Sequence, residues 1–502
     1  MSTRRFASFF FIASALSLAC GARSGLDCFG ERCSSLSSDD DDVGFDPDDG
    51  DPAAGSGGTS RGGASGRGGS AGRGGNGGSA ARGGSGGQPG RPRPDEPEPN
   101  PPVDMPSSAR CLPGGTFNGS IDVSDQATLE SLAGCDTIDG QLSIFGGSIH
   151  DLRPLSQLRL VTRALRITSY GGSLDGLEAL EGVDSLTIEN TSVSALDPLR
   201  SLRRIGGTGL AGAGSLTLSQ NPSLSTLSGL GNLLEVSSII ITDNANLQSL
   251  LGLNVPGQLE AVTLQRNPLL SDVVGLLSLQ LAQAILIEDL PSLDNLAALS
   301  NLQAAVTLSV VSTPKLTDLA LPIGSVGVFY LENVGVTSLA GLTGLISLEK
   351  AIIQNNPSLV DIDRLGSLET LAELSVINNP SLVRLPEFVG LVDLQQLHVR
   401  GNASLAVGPA YPRVAEAGTV LIAENPLLAS LTGFAALQSI RSLDISRNAS
   451  LSALDLGTLG SARNVRITCN AALPESSLDT MRSRVSGTVD VWGNQGSPTP
   501  CP

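Results

Sequence analysis

The chain repeats a pattern of aliphatic residues and asparagine about every 23 residues through most of its length. Segments that begin at Leu216, Ile239, Val262, Leu374 and Leu443 align as aliphatic-x-aliphatic-x-x-Asn-x-x-Leu-x-x-aliphatic. A fixed period of this length predicts a solenoid, because one turn cannot bury its apolar face alone and must stack on the next. This repeat constrains the fold more than any other feature of the sequence.

The asparagine position marks the repeat along the chain. With Leu290 and Thr313 as variants, it recurs at Asn221, Asn244, Asn267, Asn333, Asn356, Asn379, Asn402, Asn425, Asn448, Asn470 and Asn494. The step is 23 residues almost throughout, with one of 20 before Asn333. Earlier aliphatic pairs, from Ile121 and Val123 onward, extend the series to about 17 turns. We interpret the asparagines as structural, since their side chains hydrogen-bond backbone groups left open at corners.

The spacing within one repeat predicts the shape of one turn. Each aliphatic-x-aliphatic pair indicates a short strand with two inward side chains and one outward side chain between them. Apolar residues then follow at every third position, as at Leu224, Leu227 and Leu230, which favours tight corners and short 3₁₀ segments. The predicted fold is mainly β: a right-handed leucine-rich β-solenoid over residues 111–502.

A stretch near the start of the repeats carries a family resemblance. Cys135-Asp-Thr-Ile-Asp-Gly-Gln-Leu-Ser-Ile144, followed by Leu152, Leu155 and Leu158, resembles the receptor L domains, the leucine-rich solenoids of insulin and growth-factor receptors. The later segments resemble ordinary leucine-rich repeats. The resemblance implies the solenoid architecture, and it places no ligand-binding residue in this chain. The chain has no furin-like cysteine-rich region and no kinase, so the resemblance does not imply hormone-receptor activity.

The N-terminus indicates export. Arg4 and Arg5 precede an apolar run that is too short to span a membrane and that ends in Ala19-Cys20. Ala19 before Cys20 resembles a bacterial lipobox, which implies a signal peptide over residues 1–19 and a lipid on Cys20. Gly21 after the cysteine is associated with the outer membrane or cell surface in such lipoproteins. A secreted protein without the lipid is the alternative.

Residues 20–110 show no hydrophobic periodicity. They contain an acidic run around Asp39–Asp51, a Gly/Ser/Arg tract and a proline-rich end. Such a segment cannot bury enough apolar surface to offset its chain entropy. We therefore expect a disordered tether between the lipid and the solenoid.

The cysteines suggest disulfides. Apart from Cys20, six cysteines are arranged as one pair in the tether, one pair at the start of the repeats and one pair at the end: Cys28 and Cys33, Cys111 and Cys135, Cys469 and Cys501. In an exported chain such pairs are typical of disulfides. Neither the cysteines nor the two histidines have the spacing of metal ligands, so we expect no metal and no cofactor.

Charge narrows the class of partner. Residues 111–502 hold 35 acidic and 20 basic side chains. Such a surface repels nucleic acid and anionic lipid head groups. We therefore expect no nucleic acid partner, and contact with the membrane only through the N-terminal lipid.

An enzyme is the least favoured of the interpretations. Some solenoids degrade polysaccharides with carboxylates grouped on one face of adjacent turns. Asp444 and Asp490 fall on outward strand positions, but Arg466 lies between them and indicates a surface ion pair. No nucleophile motif occurs, so we expect no catalytic residues.

The middle turns suggest a binding face. Counting back from Asn333 and its neighbours places five apolar residues outward, where most turns carry polar residues: Val311, Phe329, Leu331, Ile352 and Ile377. Exposed apolar patches usually mark contact surfaces. The expected function is binding of an extracellular protein or glycan. The alternatives are a homodimer through this face and an envelope spacer without a ligand. The glycine-rich excursion from Gly206 to Gly214 is a second candidate loop for binding.

Overall fold

The structure is a computed structural model that describes residues 111–207 and 214–501. The predicted signal peptide, tether, Cys20, Cys28 and Cys33 lie outside the described residues. So do residues 208–213 of the glycine-rich excursion.

The described residues form 22 strands and two short α-helices. The helices are α1 (Gln126–Glu130) and α2 (Asp479–Arg484). The strands are β1 (Gly115–Asn118), β2 (Ile121–Val123), β3 (Cys135–Asp139), β4 (Leu142–Phe145), β5 (Leu160–Thr168), β6 (Gly182–Glu189), β7 (Arg204–Ile205), β8 (Ser215–Ser219), β9 (Ser238–Thr242), β10 (Gln258–Gln265), β11 (Leu281–Glu288), β12 (Ala304–Val311), β13 (Ser325–Glu332), β14 (Ser347–Gln354), β15 (Glu373–Ile377), β16 (Leu394–Arg400), β17 (Glu416–Ala423), β18 (Ser430–Leu431), β19 (Ser439–Ser446), β20 (Ala453–Leu454), β21 (Ser461–Thr468) and β22 (Ser486–Trp492).

Twenty of the strands form one parallel sheet, and β18 pairs with β20 in a second. Each strand pairs with its equivalent in the next turn, as Val262 of β10 does with Ile285 of β11. The chain makes about 16 turns, close to the expected 17. The predicted leucine-rich β-solenoid is therefore confirmed.

The core is a stack of aliphatic layers. The inward strand residues and the leucines at every third position are buried along the whole stack, for example Leu224, Leu227 and Leu230. Few aromatic residues enter this core; three of them stack together, with Tyr411 between Phe388 and Phe434 at ring-centroid distances of 4.7 and 5.6 Å. The corners include the expected short 3₁₀ segments at Arg153–Leu155, Asp197–Leu199, Ser228–Leu230, Val274–Leu276, Ala297–Leu299, Asp363–Ser367 and Glu475–Leu478.

The asparagines form a buried ladder along the stack. Asn402 is typical: its Oδ1 accepts the backbone N–H of Asn379 at 3.0 Å, and its own N–H donates to Oδ1 of Asn425 at 3.1 Å. Its Nδ2 donates to the carbonyls of Val376 and Arg400 at 3.0 and 3.2 Å. Each ladder side chain thus satisfies backbone groups that turn away from the strand, and it ties each turn to the next.

The residue before each ladder position adopts a left-handed conformation. Asp243, Arg266 and Glu424 have φ angles of 59°, 51° and 57°. This conformation is costly for residues with a Cβ, and the ladder hydrogen bonds that follow it hold it in place.

The ladder corrects one predicted position. Asn333 has a φ of 52° and occupies the left-handed position. Val334 takes the ladder position, because its N–H donates to Oδ1 of Asn356 at 3.0 Å. The prediction that Asn333 is a ladder residue is therefore wrong by one residue. Three consecutive turns lack the asparagine, and their ladder positions hold Leu290, Thr313 and Val334.

Both ends of the described solenoid carry a disulfide. Cys111 is bonded to Cys135 and Cys469 to Cys501, with Cα atoms 5.0 and 5.5 Å apart. These are the two pairs expected at the start and end of the repeats. They close loops of 24 and 32 residues beside the terminal strands.

The ladder makes a quantitative prediction. Asn402→Ala should lower the free energy of unfolding by about 3 kcal/mol, because it leaves buried N–H and C=O groups of neighbouring turns without partners. Asn464→Ala is the control, since Asn464 is an exposed outward residue of β21, and it should change stability by less than about 0.5 kcal/mol. Urea denaturation followed by circular dichroism measures both. Equal effects of the two variants would contradict the structural role of the ladder.

Candidate binding face

The main sheet has one side turned away from the core, which we call the outer face. On β14, Ala351 and Ile353 are buried, whereas Lys350, Ile352 and Gln354 are partly exposed on the outer face. The same alternation holds in the neighbouring turns, because the strands pair in register. The outer face is therefore a continuous array with about three outward side chains from each turn.

Two residues predicted on this face are in the core. Phe329 and Leu331 are 1% and 0% exposed. Phe329 pairs with Leu308 on β12 and with Ala351 on β14, both inward residues. The prediction counted strand positions back from Asn333, although Val334 is the ladder residue. A shift of one residue moves every side chain of a strand to the other face.

The other three predicted residues do point outward. Ile352 and Ile377 are partly exposed. Val311 is outward on β12 but only 7% exposed, and its strand neighbours at this position are Glu288 and Glu332. Val311 therefore contributes little accessible surface.

The structure adds two apolar residues that the sequence analysis missed. Tyr330 of β13 and Leu286 of β11 are partly exposed on the outer face, at positions equivalent to Ile352. Counting from Val334 instead of Asn333 would have found Tyr330. We define the central patch as Leu286, Tyr330, Ile352 and Ile377, which lie on β11, β13, β14 and β15.

Tyr330 is held by hydrogen bonds on both sides. Its Oη donates to Glu332 and accepts from Nε2 of Gln354 at 2.7 Å. Asn355 Nδ2 donates to the other oxygen of Glu332 at 2.8 Å. Partial burial and then the hydrogen bond to Glu332 raise the pKa of Tyr330 well above its usual value, so the phenol stays neutral. The ring is thus fixed in place on the outer face.

Acidic side chains lie along one side of the central patch. Glu288 and Glu332 follow Leu286 and Tyr330 by two residues on their strands, and Asp289 follows Glu288. Gln265 donates to Glu288. Within the described ranges 111–207 and 214–501, no ion pair within 4.0 Å involves any of these three carboxylates.

Two basic residues beside the central patch are paired with other carboxylates. Arg266 binds both carboxylate oxygens of Asp243 at 2.7 Å. The hydrogen bond to Asp243, supported by the charges of Glu288 and Asp289, raises the pKa of Arg266. Lys350 lies 2.8 Å from Glu373. The surroundings of the central patch therefore carry excess negative charge.

His398 lies on the outer face two turns beyond Ile352. Its ring contacts Nε2 of Gln396 at 3.1 Å. Partial burial lowers the pKa of His398 below its usual value, against the opposing charge of Glu373, so the ring is neutral at neutral pH.

One of the two carboxylates considered for catalysis lies in an ordinary ion pair. Asp444, Arg466 and Asp490 occupy equivalent positions on three consecutive strands. Arg466 Nε lies 3.6 Å from Asp490, which also accepts from Nε1 of Trp492 at 3.3 Å. The predicted surface ion pair is confirmed between Arg466 and Asp490.

None of the helices in the described part of the chain is long and apolar enough to cross a membrane.

Comparison with known proteins supports the predicted resemblance over part of the chain. The receptor L domain family model matches residues 134–251. No curated protein matches the chain.

Similar solved structures are leucine-rich proteins. The functional domain of InlJ from Listeria monocytogenes is 17% identical, over 70% of this chain and 68% of that one, with a TM-score of 0.28. An internalin from the same species is 16% identical over 75% and 86%, with a TM-score of 0.21. A leucine-rich repeat protein of Leptospira interrogans is 14% identical over 73% and 99%, with a TM-score of 0.29.

The corrected orientation of β13 can be tested by neighbouring substitutions. Phe329→Ser should lower the free energy of unfolding by about 4 kcal/mol, because it empties a core position. Tyr330→Ser should cost about 1 kcal/mol, since it removes a partly exposed ring and its hydrogen bonds. Urea denaturation compares the two variants. A larger loss for Tyr330→Ser would reverse the assignment of the two faces.

Proposed function

We propose that this protein is a non-catalytic, exported cell-surface recognition protein that binds an extracellular protein or glycan through the outer face of its solenoid. The central patch carries this proposal. Leu286, Tyr330, Ile352 and Ile377 expose apolar surface on one side of a continuous sheet. Most equivalent positions elsewhere hold Ser, Thr or charged residues. Apolar groups clustered on an otherwise polar surface usually mark a contact surface.

The rigidity of the outer face favours recognition. The strands are held in register by parallel pairing, and the buried ladder fixes the ends of β14 and β15. Tyr330 is oriented by Glu332 and Gln354. A preorganised surface loses less conformational entropy on binding.

Two observations support export. The signal-like N-terminus ends at Cys20, and the described solenoid has disulfides at both ends. Disulfides persist in oxidising compartments outside the cytosol. In this proposal, the lipid on Cys20 attaches the chain to the outer membrane or cell surface of a bacterium, and residues 20–110 separate the solenoid from the lipid.

Binding through the central patch is tested with the double variant Tyr330→Ser/Ile352→Ser. The full chain is applied to a glycan array and used to capture surface proteins. The variant should lose at least about 2 kcal/mol of affinity for what the wild type binds, the scale of a binding hot spot. The matched control is Val389→Ser/Val392→Ser, which removes two exposed valines outside the main sheet. Equal binding by the two double variants would exclude the central patch as the site.

Lipid attachment is tested separately. Mass spectrometry of the mature N-terminal peptide should find an acylated Cys20, and Cys20→Ser should release the protein from membranes. A single acyl chain binds membranes only marginally, so stable attachment requires more than one chain. An unmodified N-terminus at another residue would show that the protein is secreted without a lipid.

A further inference from the structure

We propose that the natural partner of the central patch is a protein segment that places lysine or arginine beside an apolar anchor residue. This inference rests on the proposed function, because it names the partner class for the same surface. It follows from the arrangement of charge, hydrogen bonds and apolar area around Tyr330.

Charge selects a cationic partner. Glu288, Asp289 and Glu332 lie beside the patch, and the described residues supply none of them with a counter-ion within 4.0 Å. Arg266 is bound to Asp243 and Lys350 to Glu373, and Arg266 reaches Glu288 and Asp289 only through longer-range attraction. A partner with positive charge at this position gains favourable interactions and is steered towards the patch, whereas an acidic partner is repelled.

Hydrogen bonding disfavours a glycan. Sugar recognition needs polar groups that are available to hydroxyls, but the polar groups of the patch bond mainly to one another. Tyr330 bonds to Glu332 and Gln354, and Gln265 bonds to Glu288. What the patch offers to a partner is apolar area together with negative charge.

The spacing on the sheet defines the required pattern. Leu286 and Tyr330 are two strands apart at equivalent positions, which corresponds to about 10 Å. Glu288 and Glu332 follow them by two residues along each strand, or about 7 Å. Leu286 and Tyr330 therefore each lie beside a carboxylate of the same strand. A partner fits when its apolar anchor and its cationic group are separated by about the same 7 Å, as are residues i and i+2 of an extended peptide.

The test uses the full chain and three sets of short synthetic peptides. Each peptide has one Leu, Ile or Phe as its apolar anchor at position i. The residues at positions i−2 and i+2 are Lys or Arg in the first set, Gln in the second set and Glu in the third set. We expect the first set to bind about tenfold more tightly than the second, and the third to bind most weakly. Affinity for the first set should fall as NaCl is raised, because salt screens exposed charges.

The variant Glu288→Gln/Asp289→Asn/Glu332→Gln should bind the first set about tenfold more weakly and should lose most of the salt dependence. The matched control, Asp122→Asn/Glu130→Gln/Asp393→Asn, removes the same charge from exposed positions outside the central patch and should bind like the wild type. Circular dichroism checks that both variants fold.

Three results would overturn the inference: equal binding of the Lys/Arg and Gln sets, unchanged binding by the patch variant, or binding by none of the sets. The proposed function fails on a different result. If capture of the surface ligand depends on Tyr330 and Ile352 but not on the three carboxylates, the recognition function stands and the basic partner is wrong. If capture is independent of Tyr330 and Ile352, the central patch is not the site.

Discussion

The hydrogen bonds of the buried asparagine ladder are the interaction on which this solenoid depends. Each strand must turn a corner inside a closely packed stack, where water does not reach its backbone groups. A ladder residue such as Asn425 supplies those partners with one side chain: it accepts from Asn402 and donates to the carbonyls of Val399 and Ala423. The ladder thus ends the strand, holds a left-handed residue before it and sets which side chains reach the outer face.

The ladder is interrupted where the outer face is most unusual. Leu290, Thr313 and Val334 replace asparagine in three consecutive turns, and the Thr313 hydroxyl is buried without a hydrogen-bond partner among the described residues. These three positions follow β11, β12 and β13. Leu286 lies on β11 and Tyr330 on β13. In these turns the backbone is held by sheet pairing, by apolar packing and, at Val334, by the hydrogen bond from its N–H to Oδ1 of Asn356. The outer face there combines apolar groups with carboxylates.

The outer face illustrates how a repetitive scaffold can support a specific surface. The inward positions are nearly uniform, since any turn must match the layers on both sides. The outward positions face no such requirement and vary from turn to turn. At the central patch, internal hydrogen bonds fix the ring of Tyr330 and satisfy its hydroxyl, so the proposed binding there would rest on apolar contact and on the charges of Glu288, Asp289 and Glu332.

The sequence by itself determined the solenoid, the inward aliphatic layers, the asparagine ladder and the cysteine pairs at the two ends, because all of these follow from periodicity and local spacing. It also placed Ile352 and Ile377 outward correctly. Only the tertiary structure decided the orientation of β13. The repeat shortens there. From sequence alone Asn333 matches the asparagine of the ladder pattern, but in the structure Val334 occupies the ladder position. The pairing of Phe329 with Leu308 and Ala351 resolves this ambiguity, since long-range packing outweighs a single local signal.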